Sequence, residues 1–284
     1  MTGLKIGILH PGQMGISVAV SAQKSGTTVY WASQGRSAQT RQRAEAYELI
    51  DAGTLGELCS LCEAIVSVCP PHAAEQVAEQ VLSQSFKGLY LDANAISPQR
   101  AVRIGEQMRH AGASFVDGGI IGGPAWEKGE TWLYLSGKEA DRVVSCFRGG
   151  ALETQVIGEQ IGKASALKMC YAAYTKGTTA LLCAILAASE ELKVRQELAA
   201  QWDRDWPELM SQAEGRARRV TAKAWRFAGE MDEIASTFEA AGLPDGFHAS
   251  AAEIYRRLAS FKDREELPAL EEVLAALISS ETRV

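Results

Sequence analysis

The sequence lacks a basic excess, internal repeats, low-complexity tracts and a signal peptide. Its 29 Lys and Arg stand against 35 Asp and Glu, a formal charge of −6. That argues against nucleic acid as a partner, because phosphate binding needs a basic face. The one basic concentration, Arg216, Arg218, Arg219, Lys223 and Arg226, has helical spacing with acids nearby and reads as a solvated face. Cysteine is sparse, at six residues. Cys59 and Cys62 form a CxxC, but without a second pair or a histidine cluster it supports neither zinc nor a redox motif, and no metal site is expected. Cys69, Cys146, Cys170 and Cys183 lie in apolar surroundings and read as small hydrophobes. Few cysteines and no leader point to a reducing, cytoplasmic setting.

What is present is enough for a sizeable core: 284 residues, 46% of them hydrophobic, with two domains the natural division. The most unusual stretch is 164–192, rich in Ala and Leu and free of proline. As a helix it would run about 40 Å, long for a globular protein yet too polar at both ends for a membrane span. A helix apolar all round is a buried one. Lys168 nevertheless lies in its first turns, with Ser165, Tyr171 and Thr175 at spacings that share a stripe. Two readings stand: Lys168 snorkels to water or pairs with a carboxylate, or a site uses it.

The first half alternates short apolar runs with turns suited to βαβ units. Residues 4–9 (LKIGIL) lead through His10-Pro11-Gly12-Gln13-Met14-Gly15 into a helical segment. Strand, glycine turn and helix are the setting in which backbone N–H groups face a pyrophosphate, so Pro11, Gly12, Gln13 and Met14 are candidate cofactor residues. The usual first glycine is His10. The second strand, 27–32, ends without the acidic residue that would hold a ribose 2′-hydroxyl; Ser33, Arg36 and Ser37 follow instead. Those donors suit a 2′-phosphate and predict NADP(H); the alternative is a polar surface turn. The strand at 64–69 ends in Cys69-Pro70-Pro71-His72, where a cofactor ribose would lie. Residues 88–91 lead to Asp92 and Asn94. The strand at 114–117 ends in a turn with Gly118, Gly119, Gly122 and Gly123, which suits either close approach of a ligand or simple turn economy. Ligands of open parallel sheets bind beyond these strand ends. Residues 131–136 and 154–157 read as late strands.

These residues resemble the β-hydroxyacid dehydrogenase superfamily, related to 6-phosphogluconate and 3-hydroxyisobutyrate dehydrogenases. The matching marks are Gly12-Gln13-Met14-Gly15, Pro70-Pro71, residues 92–98 and 117–123, and Gly162 with Lys168 six residues on. The second half resembles the branch with a 6-phosphogluconate-dehydrogenase-type C-terminal domain of unknown function, through residues 166–171 and 242–247. The resemblance implies an N-terminal Rossmann domain (1–160), an all-helical substrate and dimerisation domain (161–284) joined through a long helix, and a homodimer through the C-terminal helices. It implies that Lys168 is the general acid/base beside the nicotinamide, with Cys69, Pro70 and Asn94 at the cofactor. Three departures argue against a small 3-hydroxy acid as substrate. Tyr171 and Ala172 stand where the family has asparagine, Ile121 where it has serine, and Ala95 where it has serine or threonine. Imine reductases share this fold but usually lack a lysine here.

The rest of the second half reads as helices: one capped at Asp205-Trp206-Pro207, one over 220–241 stopped by Gly242-Leu243-Pro244, one from Asp245 with Ile254, Leu258 and Phe261 at core spacing, and one over 268–279. Gly177 inside the long helix points to close helix approach, within the chain or between subunits. His248 reaches the cleft or is a surface or capping histidine. The expectation is an NADP(H)-dependent oxidoreductase acting on a C–OH/C=O pair of a small molecule. Lys168 is the acid/base, assisted by Tyr171, and Asn94, Gly122, Gly123, Tyr171 and His248 stand toward the substrate. The alternatives are a C=N reductase with Tyr171 as acid and a non-catalytic NADP-binding sensor.

Overall fold

A computed structural model describes residues 4–279. The chain forms two compact units, Met1–Met169 and Cys170–Val284. The first contains β1 (Lys5–Ile8), α1 (Gln13–Lys24), β2 (Thr28–Trp31), α2 (Ala38–Ala46), β3 (Ile50–Asp51), α3 (Leu55–Leu61), β4 (Ala64–Ser67), α4 (Ala74–Ser83), β5 (Leu89–Asp92), α5 (Pro98–His110), β6 (Ser114–Ile121), β7 (Thr131–Ser136), α6 (Ala140–Ser145) and β8 (Leu152–Gly158). Helix α7 (Lys163–Glu191) runs across the division. The second unit continues with α8 (Arg195–Asp205), α9 (Leu209–Ala240), α10 (Gly246–Arg257) and α11 (Leu270–Ile278).

The strands form one sheet in the order β3-β2-β1-β4-β5-β6-β7-β8, parallel except for the β6–β7 pair. The fold is therefore a mostly parallel Rossmann-type sheet followed by helices, as the alternating pattern predicts. Strands β4 and β5 are buried along their whole length, the mark of a sheet covered on both faces. Alternation along each strand splits the core in two. Ile6, Ile8, Val66 and Leu91 pack on one side, and Leu9, Ile65 and Tyr90 on the other. Helix α3 is opened by a capping box between Thr54 and Glu57. It buries Cys59, with Cys62 just beyond it, and burial pushes these thiols up to about 11 and 12.

Strand β6 departs from the sequence reading. It continues to Ile121, so Gly118 and Gly119 belong to the strand and only Gly122 and Gly123 to the turn. A Cβ on Gly118 would come within 3.0 Å of the Asp92 carbonyl oxygen, and one on Gly119 within 2.6 Å of that of Ala164. The two glycines serve packing.

In the second unit, Pro207 ends α8 instead of opening the next helix: the Trp206 amide donates to the Trp202 carbonyl (2.6 Å), and α9 starts at Leu209. The basic cluster is only partly a solvated face. Arg219 and Lys223 are exposed. Arg216, by contrast, donates to the Thr175 carbonyl and the hydroxyls of Thr178 and Thr179, Arg218 donates to the Pro268 carbonyl (2.8 Å), and Arg226 faces Glu230. Glu230 also pairs with Lys176, both well buried. Gly177 is explained within one chain, since a Cβ there would lie 3.1 Å from the Phe247 ring of α10. Helix α7 is not buried all round: Leu167, Tyr171, Tyr174 and Leu181 are exposed, as is Cys170, which sequence alone placed among buried hydrophobes.

Candidate active site

Residues between β1 and α1 make an open cradle. The carbonyl of His10 accepts from the Gly12 amide (2.8 Å) and would lie 2.1 Å from a Cβ on Gly15, so only glycine lets strand and helix approach this closely. Gly12 is the N-cap of α1, with no side-chain cap and nothing within 4 Å of a Cβ built on it. The first-turn amides are left uncovered, which fits a diphosphate. Gln13 is exposed beside the loop. Buried Pro11 is held through its carbonyl by Arg43 Nη1 of α2 (3.2 Å). Ser17 donates to the Met14 carbonyl (2.8 Å) and accepts from the Ala125 amide (2.9 Å), tying the β6–β7 turn to α1.

The β2–α2 turn carries Ser33, Arg36 and Ser37. Ser37 caps α2 by accepting from the Thr40 amide (3.3 Å), and the partly buried Ser33 is tied by its own amide to Asp51 (3.2 Å). Arg36 is partly buried and turned toward His10 and Cys69; burial lowers its pKa. Sequence reasoning missed two residues here. One is Arg43, whose helix is too polar throughout to show a core-facing stripe. The other is Asp51, which puts a carboxylate beside Ser33 from the short edge strand β3. Its partial burial acts upward, but hydrogen bonds from Ser33 and Gly53, with Arg41 nearby, hold its pKa below the usual range.

Asn94 is buried and uses its polar groups internally. Its Oδ1 accepts from the Cys69 amide (2.6 Å), its Nδ2 donates to Ser67 Oγ (3.1 Å), and its own amide donates to Asp92 (2.9 Å). It thereby sets the Cys69-Pro70 turn against the end of β5. Asp92 and Asp117 are direct neighbours across β5 and β6. Burial raises both carboxyls, Asp92 to about 7.

Asp117 anchors the start of α7. Its Oδ2 accepts from Ser136 Oγ (3.0 Å), the Gly162 amide (2.9 Å) and the Ser165 amide (3.1 Å), and its Oδ1 accepts from Ser165 Oγ (2.6 Å). Ser136 Oγ in turn accepts from the Ala164 amide (3.1 Å). A carboxylate at a helix N-terminus also meets the positive end of the helix dipole. One turn beyond Ser165, partly buried Lys168 lies over Gly119 and donates from Nζ to the Ile120 carbonyl. The adjoining turn is open at Gly123, while Gly122 adopts φ +128°, tight against Glu130 and Thr131. Tyr171 follows one turn along α7, half exposed (51%). His248 is neither a surface nor a capping residue. It lies on α10 in the core of the second unit, between the rings of Phe238 (4.2 Å) and Phe247 (5.2 Å), and burial lowers its pKa.

Residues 5–147, just over half the chain, match the family model for the NAD binding domain of 6-phosphogluconate dehydrogenase. The chain belongs to that family. With it goes membership of the NAD(P)-dependent oxidoreductases of hydroxyacid dehydrogenase type. Residues 190–258 match a domain of unknown function, as the C-terminal resemblance implied. An uncharacterized 28.5 kDa protein of Methanothermus fervidus is 28% identical over 183 residues, 64% of this chain and 67% of that protein. A conserved protein of unknown function, described as structurally similar to 3-hydroxyacid dehydrogenases, is 25% identical, with 91% of this chain and 98% of that one covered and a TM-score of 0.67. Two structures at 16% identity share the fold. Mycobacterium tuberculosis 3-hydroxyisobutyrate dehydrogenase, solved with L-serine, has a TM-score of 0.69 over 98% and 100% of the two chains. An Aspergillus terreus reductive aminase in complex with NADPH and ethyl levulinate has one of 0.55 over 96% and 99%.

Proposed function

We propose that this oxidoreductase uses NADP(H) to move a hydride between nicotinamide and a C–OH/C=O pair of a small molecule, with Lys168 as general acid/base. One observation carries the reading. An amine is held at the C-terminal end of β6, where open α/β sheets bind ligands, on a helix whose start is pinned by four donors to Asp117. The cofactor supplies the hydride when bound; the chain supplies orientation and the proton. The Gly12 cradle with Pro11, Gln13 and Met14 holds the diphosphate, and Cys69 and Pro70 border the ribose, with Asn94 setting their turn. Ser33, Arg36 and Ser37 take a 2′-phosphate. Gly122 and Gly123 line the substrate side, and Lys168 gives its proton to the forming alkoxide in reduction and takes it back in oxidation. Tyr171 orients the substrate oxygen.

Unbridged cysteines support a reducing, cytoplasmic setting. The exposed Leu167, Tyr171, Tyr174 and Leu181 of α7 support a homodimer through the C-terminal helices. The exposed Tyr171 side chain, one turn beyond Lys168, favours a second reading, reduction of C=N with Tyr171 as the acid.

Steady-state rates with NADPH and NADH on parallel panels of ketones, hydroxy acids and cyclic imines test these statements. Preference for NADPH with ketone or hydroxy-acid turnover is expected. NADH preference removes the 2′-phosphate assignment, and imine turnover alone shifts the acid to Tyr171.

A further inference from the structure

Four buried side chains form a polar row across the sheet. Ser67 ends β4 and is the register partner of Asp92, which ends β5. Asp92 is paired in turn with Asp117 on β6, and Asp117 with Ser136 on β7. Register partners share a face, and all four residues are buried. One end of the row meets the cofactor-side turn. There Asn94 binds Ser67 Oγ and the Cys69 amide, while its own amide donates to Asp92 Oδ1. The other end holds the start of α7 through Asp117 and Ser136.

The two carboxyls in the middle are not equivalent. Asp117 accepts four hydrogen bonds, whereas Asp92 Oδ2 is buried with no partner among the described residues. Two carboxylates side by side and out of water repel, so one of them keeps a proton. Donors stabilise Asp117 as the anion, which leaves the proton to Asp92 Oδ2, the oxygen that nothing donates to. Tyr90 Oη, two residues back on the same face of β5, is also buried without a partner among the described residues. Of the other groups around Asp92, Arg100 of α5 favours the anion but also faces Glu75 (3.5 Å), and burial keeps Tyr90 and Cys69 neutral. Burial first, with Asp117 adding to it, outweighs Arg100 and the Asn94 hydrogen bond and brings the Asp92 carboxyl to about 7.

We propose that Asp92 is a positioning residue that serves in its protonated form: it carries the proton of the Asp92–Asp117 pair, holds the Cys69-Pro70 turn for the cofactor through Asn94, and leaves Asp117 the only anion under the first turn of α7. This rests on the dinucleotide reading and gives that site a pH dependence set by a residue behind it. When the proton leaves, a second buried anion beside Asp117 pushes the ends of β5 and β6 apart, and the turn that Asn94 holds moves with β5.

The test is equilibrium binding of ADP-ribose, which has no 2′-phosphate to titrate, to the full chain and to Asp92→Asn and Asn94→Ala. From pH 6 to pH 8.5 the wild type is expected to lose about tenfold in affinity or more, and Asp92→Asn, neutral throughout, to stay within about twofold. Asn94→Ala should bind about tenfold more weakly than the wild type at pH 6, through loss of its hydrogen bond to the Cys69 amide. A merely structural Asp92 would change affinity without changing its slope against pH, so one shared slope for the wild type and Asp92→Asn overturns the proposal. Undiminished binding by Asn94→Ala overturns the route through the turn. Infrared spectra of the wild type serve should a variant not fold: a protonated-carboxyl C=O band is expected at pH 6 and lost by pH 8.5. Absence of that band overturns the proposal, and so does its survival in Asp92→Asn. A wild type that binds ADP-ribose at neither pH overturns the dinucleotide reading itself, while the infrared band still decides where the proton lies.

Discussion

Asp117 on β6 accepts hydrogen bonds from both the amide and the hydroxyl of Ser165 on α7. Through this pair the first turn of α7 is positioned on the sheet, and with it Lys168, one turn later. Asp117→Asn would turn an NH2 group toward donors that need an acceptor. It should cost about 2–4 kcal/mol of stability, and Ser165→Ala about 1 kcal/mol. Urea unfolding checks the order; equal small losses would mean that α7 is held by packing alone.

Lys168→Ala should lower turnover ~10²-fold or more, with NADPH affinity near that of the wild type. Lys168→Arg should fare little better, because a guanidinium does not release its proton near neutral pH. Turnover and cofactor titration are read on the same preparations; unchanged turnover removes the lysine from the chemistry.

Gly119 and Gly123 form a matched contrast. A methyl group on Gly119 meets the Ala164 carbonyl oxygen at 2.6 Å and Lys168 Cβ at 3.2 Å, while nothing lies within 4 Å at Gly123. Gly119→Ala should therefore lift α7 from β6, costing about 1–3 kcal/mol and most of the activity. Gly123→Ala should unfold within about 0.5 kcal/mol of the wild type.

Asp92 gives a pH dependence of definite sign. Burial raises its carboxyl from 3.8 to about 7 in the folded chain, so between these values the folded state binds more protons than the unfolded one. The contribution is fully present below the lower value and is lost as pH rises through 7. The wild type should lose on the order of a few kcal/mol between pH 5 and 8 relative to Asp92→Asn, which keeps an acceptor for the Asn94 amide. Denaturant midpoints of both proteins across that range decide it; parallel curves would place the titration elsewhere.

In the helical unit, Lys176 and Glu230 are paired at 14% and 8% side-chain exposure. Glu230→Gln strands a buried ammonium and should cost about 3–5 kcal/mol, whereas the double replacement Lys176→Met with Glu230→Leu should cost much less. A thermal-melt double-mutant cycle measures the difference.

Local patterning carried a good deal of this protein. Alternating apolar runs and turns predicted a parallel sheet, Gly12 and Gly15 marked the cradle, and Lys168 stood out as an amine in an apolar helix. Such features depend on neighbours in the chain, where periodicity and backbone sterics act directly. Other features came from contacts distant in sequence. Asp117 looked like the first residue of a turn, yet it meets Gly162 and Ser165 more than forty positions away. The carboxylate beside Ser33 arrives on β3, too short a strand to show a period. Arg216 and its threonines are brought together only by helix packing. Short-range pattern along the chain was enough for the fold class and the residues with unusual chemistry. Tertiary structure decided their partners, because a buried polar group must find its hydrogen bond wherever the chain returns to it, and nothing local records that place.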